Sequence, residues 1–234
     1  MNIVHLIDCM DFMADKPDKC YDLAIVDIQY GIDQGGGKNH TRGKLAIAKN
    51  YKDFGDKKTM PVKYHVELNR ISKNRIVWGA NHFISKIPFD SSCWIVWDKM
   101  NGKTDFADCE LAWTTFKTTV RQFRFQWQGM IQGYGGNKRK NETRIHPTQK
   151  PIALYKWLLQ NYAKPGQTIF DSHEGSGSHR IACYDLGFDH EGCEIDADYW
   201  QAQEDRYNNH IQQGGLFGKD EIQKLVYRGE AGNG

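Results

Sequence analysis

Short apolar runs that end on an acidic residue recur along this chain. Asn2-Ile3-Val4-His5-Leu6-Ile7 runs into Asp8-Cys9, and Tyr21-Asp22-Leu23-Ala24-Ile25-Val26 runs into Asp27. Both predict buried parallel strands, since a strand covered on both faces has no need of alternation. Between them, Met10 to Lys16 fits a short helix stopped by Pro17. Val62, Val66, Leu68 and Ile71 recur at helical spacing over 61–72, with Pro61 in the first turn. Arg75 to Trp78 and Cys93 to Asp98 are rich in β-branched and aromatic residues and predict strands on either side of a helix over 80–87. Further on, Pro151 opens a stripe of Ile152, Tyr155, Leu158, Leu159 and Tyr162 that stops at Pro165-Gly166. A strand over 167–170 follows, then a glycine turn over 171–178, a helix from His179 to Leu186, a strand over 190–194 and a last helix from Ala197 to about Ile211. This alternation predicts an α/β, Rossmann-like fold, a mostly parallel sheet with helices on both faces, as one domain over 1–234. No repeat, low-complexity tract or linker interrupts it.

A chain of 234 residues buries a core without disulfides or metals. The six cysteines, Cys9, Cys20, Cys93, Cys109, Cys183 and Cys193, form no C-x-x-C pair. Buried free thiols in a reducing cytoplasm are the expectation, with no metal site. Asp8 and Asp11 break the N-terminal apolar run, so neither a signal peptide nor a membrane span is expected and the cytoplasm is the expected compartment. The net charge of +2 is too small to announce a nucleic-acid binder, so its distribution carries the information. Lys38, Arg42 and Lys44 crowd one glycine-rich stretch. Arg121, Arg124, Lys138, Arg139, Lys140 and Arg144 are interleaved with Phe123, Phe125, Trp127 and Tyr134. Such mixtures suit phosphate contact with base stacking, and equally a solvated loop over ordinary packing aromatics.

In doubly wound sheets a ligand lies beyond the carboxyl ends of the strands, where a glycine turn lets backbone approach it. Asp171-Ser172-His173-Glu174-Gly175-Ser176-Gly177-Ser178 is placed for that role, and Glu194, 23 residues after Asp171, is placed to accept two ribose hydroxyls. The turn lacks the third glycine that brings a helix onto a pyrophosphate. An adenosine without phosphate is the better fit, and S-adenosylmethionine is the common one. An ordinary tight connection is the competing reading.

Asp27-Ile28-Gln29-Tyr30 closes a buried strand, where a carboxylate is costly unless it has a partner or a task. Asp27 is suited to accept one hydrogen of an exocyclic base amine and the Ile28 carbonyl the other, while Tyr30 stacks on the base. A duplex base reaches such a pocket only when flipped out. The bland alternative is that Asp27 caps a turn.

Together these residues resemble the β-order adenine-specific DNA methyltransferases, in which the catalytic motif precedes the cofactor motif. The likeness spans nearly the whole chain and rests on Asp8-Cys9, the 27–30 turn, the strings at 78–83, 94–99 and 106–113, His146-Pro147-Thr148-Gln149-Lys150-Pro151, and the 171–178 turn. It implies a methyltransferase fold using S-adenosylmethionine, double-stranded DNA as partner, and a bacterial or phage setting. It also implies that Thr148 and Lys150 contact the methionine part and that Asp8 and Cys9 line the adenine pocket. The 31–60 loop would clamp DNA, 101–145 would recognise the target, and 146–212 would form the cofactor half. The family's Asp-Pro-Pro-Tyr is here Asp27-Ile28-Gln29-Tyr30, and its Asp-Pro-Phe is Asp171-Ser172-His173. Cytosine N4 methylation and a non-catalytic homologue remain alternatives. Gln213-Gly214-Gly215-Leu216-Phe217 resembles a sliding-clamp peptide, with packing of Leu216 and Phe217 on the protein itself as the competing reading.

Overall fold

A computed structural model describes residues 1–32, 57–102, 107–128, 131–133 and 141–216. The elements run β1 (Asn2–Leu6), α1 (Cys9–Ala14), β2 (Tyr21–Asp27), α2 (Val62–Ile71), β3 (Ser72–Trp78), β4 (Trp94–Asp98), β5 (Cys109–Thr114) and β6 (Arg121–Arg124). A short hairpin of β7 (Trp127–Gln128) and β8 (Ile131–Gln132) follows. The chain continues through α3 (Ile152–Tyr162), β9 (Thr168–Asp171), α4 (Ser178–Leu186), β10 (Asp189–Glu194) and α5 (Ala197–Leu216).

Eight strands form one sheet in the order β1-β10-β9-β2-β3-β5-β4-β6. The first five are mutually parallel, and β5 runs against both of its neighbours. From β9 the chain proceeds outward to β10, and from β2 it proceeds the other way to β3. The junction between β9 and β2 is therefore the topological switch point, the place where a crevice opens at the carboxyl edge.

The central strand β2 is buried on both faces because its side chains divide between two cores. Tyr21, Ala24 and Val26 pack with Phe12 and Met13 of α1 and with Tyr64, Leu68 and Ile71 of α2. Leu23 and Ile25 pack with Leu154, Leu158 and Leu159 of α3 and Ala182 of α4. Helices thus cover both faces, as the alternating pattern predicts. Trp78, Trp97 and Trp113 are among the largest fully buried side chains, each burial worth roughly 1.5–3 kcal/mol before entropy.

Three expectations are corrected. The first strand is not buried on both faces: β1 is the sheet edge, and Ile3 and Leu6 are 41% and 50% exposed. The helix expected over 80–87 is two 3₁₀ turns, Ala80–His82 and Ile84–Lys86. Phe83 between them is pulled out of helical geometry (φ −144°) while its ring packs in the core against His65. The last helix continues to Leu216. Among the described residues, no helix is long and apolar enough to cross a membrane.

Candidate active site

The carboxyl edge of the sheet presents an acidic residue on four neighbouring strands. Asp8 follows β1, Glu194 ends β10, Asp171 ends β9 and Asp27 ends β2. Parallel register produces this row, with Leu6 opposite Glu194 and Gly192 opposite Asp171. The four carboxylates have different surroundings, which fixes what each can do.

Asp27 is the centre of an ionic cluster. Its Oδ2 lies 2.6 Å from Lys150 Nζ, and its Oδ1 accepts from the Tyr30 hydroxyl at 2.8 Å. Lys150 Nζ also reaches Glu110 Oε2 at 3.0 Å and donates to Tyr30 Oη at 3.1 Å. Glu110 in turn pairs with Lys99. Burial opposes charge on Glu110, but Lys150 and Lys99 outweigh it and hold the carboxyl down at about 2. On Lys150 burial is again overcome, here by Asp27 and Glu110, so the ammonium is held above its ordinary value. Burial pushes Asp27 up, with Lys150 opposing.

The string at 78–83 serves Tyr30. Gly79 adopts φ +70°, and a Cβ there would lie 2.0 Å from the Tyr30 ring, so only glycine admits the tyrosine in this position. His82 stacks on the ring with centroids 5.2 Å apart, and Phe83 tilts against it.

At the glycine turn, Gly175 and Gly177 have φ +55° and +72°. Gly175 N–H donates to Glu194 Oε2 and Asp196 N–H to Glu194 Oε1, both at 2.9 Å. Burial pushes the Glu194 carboxyl up while these N–H groups oppose it. Asp171 and Glu174 turn inward instead. Asp171 meets His179 Nδ1 at 3.0 Å and the His173 N–H, while Glu174 meets His190 Nε2 at 2.8 Å and the Arg180 N–H. Both side chains are almost wholly buried, so their carboxylates belong to the core.

The remaining expected site residues are placed as follows. Asp8 caps α1 by accepting from Met10 N–H at 2.7 Å, and Cys9 is buried in the core below it, where burial pushes its thiol up to about 12. Thr148 Oγ1 lies 3.1 Å from His146 Nδ1, and the His146 ring packs on Tyr199. Lys150, expected beside a methionine group, puts its ammonium on the Asp27 cluster. Gln149 braces the string, accepting from Ile145 N–H through its side chain and from Trp127 Nε1 through its carbonyl. Ser172 and His173 fill the places of Pro and Phe with a polar chain: the Ser172 hydroxyl lies 2.8 Å from His173 Nδ1 and 2.5 Å from Tyr64 Oη. Ser176 and Ser178 hydroxyls are 3.1 Å apart, and Arg206 donates to the Ser176 carbonyl and to Ser178. Ile28 is buried, and Gln29 stands half-buried beside it.

Of the expected phosphate contacts, Arg121 and Arg124 project from the exposed strand β6, where Arg124 pairs with Asp98 at 3.0 Å. Arg144 lies over the Trp127 ring. Lys38, Arg42, Lys44, Lys138, Arg139, Lys140 and Phe217 lie outside the described residues. Gln213 falls within α5. Three of the aromatics interleaved with the second basic segment are packing residues: Phe123 stacks on Phe125 and tilts onto Trp157 of α3, and Trp127 is buried; Tyr134 lies outside the described residues. The sequence reading missed Glu110, Lys99, Gly79 and His82 as site residues. All four lie within strings that carried the resemblance, and that was the available signal.

The profile of the DNA methylases that modify N6 or N4 amines matches residues 43–205, well over half of the chain. The chain belongs to the N6/N4 DNA methylase family. The match begins after the Asp27 turn, which is the stretch that departs from the family's usual residues. The methylase is similar to the type II methyltransferase M2.MboI of Moraxella bovis, 21% identical over 86% of this chain and 85% of that one. Its fold is like that of M1.HpyAVI crystallised with its SAM ligand (TM-score 0.53, 19% identical, 88% of this chain and 100% of that one). It is also like that of the cytosine-N4-specific PvuII DNA methyltransferase (TM-score 0.55, 12% identical, 96% and 91%).

Proposed function

We propose that this methylase transfers a methyl group from S-adenosylmethionine to N6 of an adenine flipped out of double-stranded DNA. The observation that carries the reading is the position of Asp27: it ends β2 at the switch point, next to the strand that leads into the glycine turn, with Tyr30 bonded to it.

The residues present fit an adenosine ligand. Glu194 offers a carboxylate at the end of β10, already oriented by two backbone N–H groups, as acceptor for ribose hydroxyls. Gly175 and Gly177 keep the turn free of side chains. Arg206, a cation that reaches this turn, is committed to Ser176, Ser178 and Glu142, which disfavours a phosphate ligand. S-adenosylmethionine, when bound, supplies the electrophilic methyl group.

An aromatic amine is a poor nucleophile because its lone pair is delocalised into the ring. Asp27 Oδ accepts one N–H and the Ile28 carbonyl the other, which draws the nitrogen towards tetrahedral geometry. Lys150 and Glu110 hold the Asp27 carboxylate in place for that contact. Tyr30, fixed against Gly79 and His82, presents an aromatic surface to the base, a contact worth about 1–3 kcal/mol in single-strand binding. Holding reactants in line supplies several kcal/mol of the barrier reduction.

The fold likeness to a cytosine-N4-specific enzyme supports cytosine as the second reading, since both amines need the same acceptors. Incubation with unmethylated duplex DNA and methyl-labelled cofactor, followed by digestion to nucleosides, separates the two. Label in N6-methyl-2′-deoxyadenosine is expected. Label in N4-methylcytosine would transfer the assignment to the second reading, and a folded, cofactor-binding protein that labels neither base would overturn both.

A further inference from the structure

Hydrogen-bonded to the buried carboxylates Asp171 and Glu174 of the glycine turn lies a second cluster of chemistry-bearing residues that methyl transfer does not use. His179 and Cys183 stand four residues apart on α4, on one face of the helix, and His190 comes from the neighbouring strand β10. All three are buried, and one nitrogen of each histidine and the Cys183 sulfur lie within 4.8 Å of one another. We propose that these three side chains are the ligands of a single zinc-type divalent cation.

The donor types are those zinc takes, two imidazole nitrogens and a thiolate. Cys183 Sγ is 3.8 Å from His190 Nδ1, close to the separation of about 3.6 Å that adjacent nitrogen and sulfur donors have around tetrahedral zinc. The outer separation closes by about 1 Å to reach the same geometry. Each histidine is already oriented through its other nitrogen. Asp171 takes His179 Nδ1 at 3.0 Å and Glu174 takes His190 Nε2 at 2.8 Å. A carboxylate behind each imidazole is the arrangement that fixes the tautomer and raises the basicity of metal-binding histidines. His179 Nε2 is buried without a hydrogen-bond partner, a costly state that a metal bond would relieve. Gly192 completes the arrangement, since a Cβ there would come within 2.7 Å of Glu174 Oε2 and 3.2 Å of His190 Nε2. Three protein donors leave one coordination position for a water. The cation would tie α4 to β10 beneath the glycine turn, a structural role that stands independently of the reading of the crevice.

The test uses the full chain produced with zinc in the medium. Elemental analysis after gel filtration is expected to find about one zinc per chain. Removal by chelator followed by titration with Co²⁺ is expected to give a thiolate-to-metal band in the near ultraviolet and visible bands of a tetrahedral site. Cys183→Ser should lose the near-ultraviolet band, and Cys20→Ser, a thiol elsewhere in the fold, should keep it. Chelation should lower the thermal midpoint of the wild-type chain, a measurement that needs no variant to fold. Absence of metal after purification together with no cobalt spectrum would overturn the proposal, as would a thiolate band that survives in folded Cys183→Ser.

Discussion

At the end of β2, Asp27 and Glu110 meet the ammonium of Lys150; on the neighbouring strand β9 and just beyond it, Asp171 and Glu174 meet the imidazoles of His179 and His190. Both places bury two carboxylates, and each is satisfied by a different kind of partner. The first cluster keeps access to solvent, with the Asp27 and Glu110 side chains 15% and 21% exposed. The second is sealed. In the sealed cluster burial pushes Asp171 well up and His179 down to about 3, while His190 helps to hold Glu174 down at about 2. In the open cluster the Lys150 ammonium opposes the burial that pushes Asp27 up and, with Lys99, holds Glu110 down at about 2. A carboxylate that is to receive a hydrogen bond from an incoming amine has to be reachable, and of the two arrangements the first provides this. The second suits the holding of a turn.

Variants at the two places should therefore separate catalysis from stability. Asp27→Asn is expected to lower methyl transfer by about 1000-fold or more, roughly 4 kcal/mol in the barrier, while the folded state and cofactor binding persist. Rates of label incorporation alongside a cofactor titration check this. A protein that loses cofactor binding and transfer together would place Asp27 in the structural class. Glu174→Ala removes the partner of buried His190 and of the Arg180 N–H, and about 3 kcal/mol or more of folding stability should disappear in urea titration. Little change there would erase the distinction between the clusters.

Acid should act on buried histidines outside both clusters. Burial holds His65, His146 and His173 at about 4, and their ordinary value is 6.5. Between those values the unfolded chain binds more protons than the folded one, so stability rises with pH across that window and is lost as pH falls from about 6.5 towards 4. Each histidine contributes up to about 1.4 kcal/mol per pH unit there. Glu110, held at about 2, adds a further loss below its ordinary 4.5. Urea midpoints at successive pH values, flat above 7 and falling below 6.5, are the expected record. The smallest effect should come from the exposed edge: Arg121→Ala is expected to weaken DNA binding severalfold and to reduce the salt slope by about 1. An unchanged slope would remove β6 from the DNA-facing surface.

What was legible in the sequence is what the chain encodes locally. Asp27, Tyr30, Gly175, Gly177 and Glu194 sit at strand ends and turns whose spacing announces them, and the two-sided burial of β2 follows from its unbroken apolar run. The reversed strand β5 was not legible, because Cys109 to Thr114 carries no mark of direction. Nor was the alliance of Lys150 with Glu110 and Asp27, which lie 40 and 123 positions before it in the chain. Such partners are brought together by the tertiary fold, with Asp27 at the end of β2, Glu110 in β5 and Lys150 in the loop before α3. Phe123, Phe125 and Trp127 misled for the opposite reason: an aromatic beside an arginine reads the same whether it faces a base or the packed face of α3. His179, Cys183 and His190 were passed over because their donors follow the turn of a helix and a strand pairing, with no C-x-x-C spacing to mark them.

The hydrogen bond from Tyr30 to Asp27 has one more consequence. On the proposed reading, the phenol already donates to the carboxylate that the base amine would meet, so in the resting protein it stands where a substrate donor would. Arrival of the amine is an exchange of one donor for another, and a base edge that brings only acceptors has nothing to trade. Under that proposal, selection for an amine would begin as a competition with the protein's own side chain, before any methyl group moves.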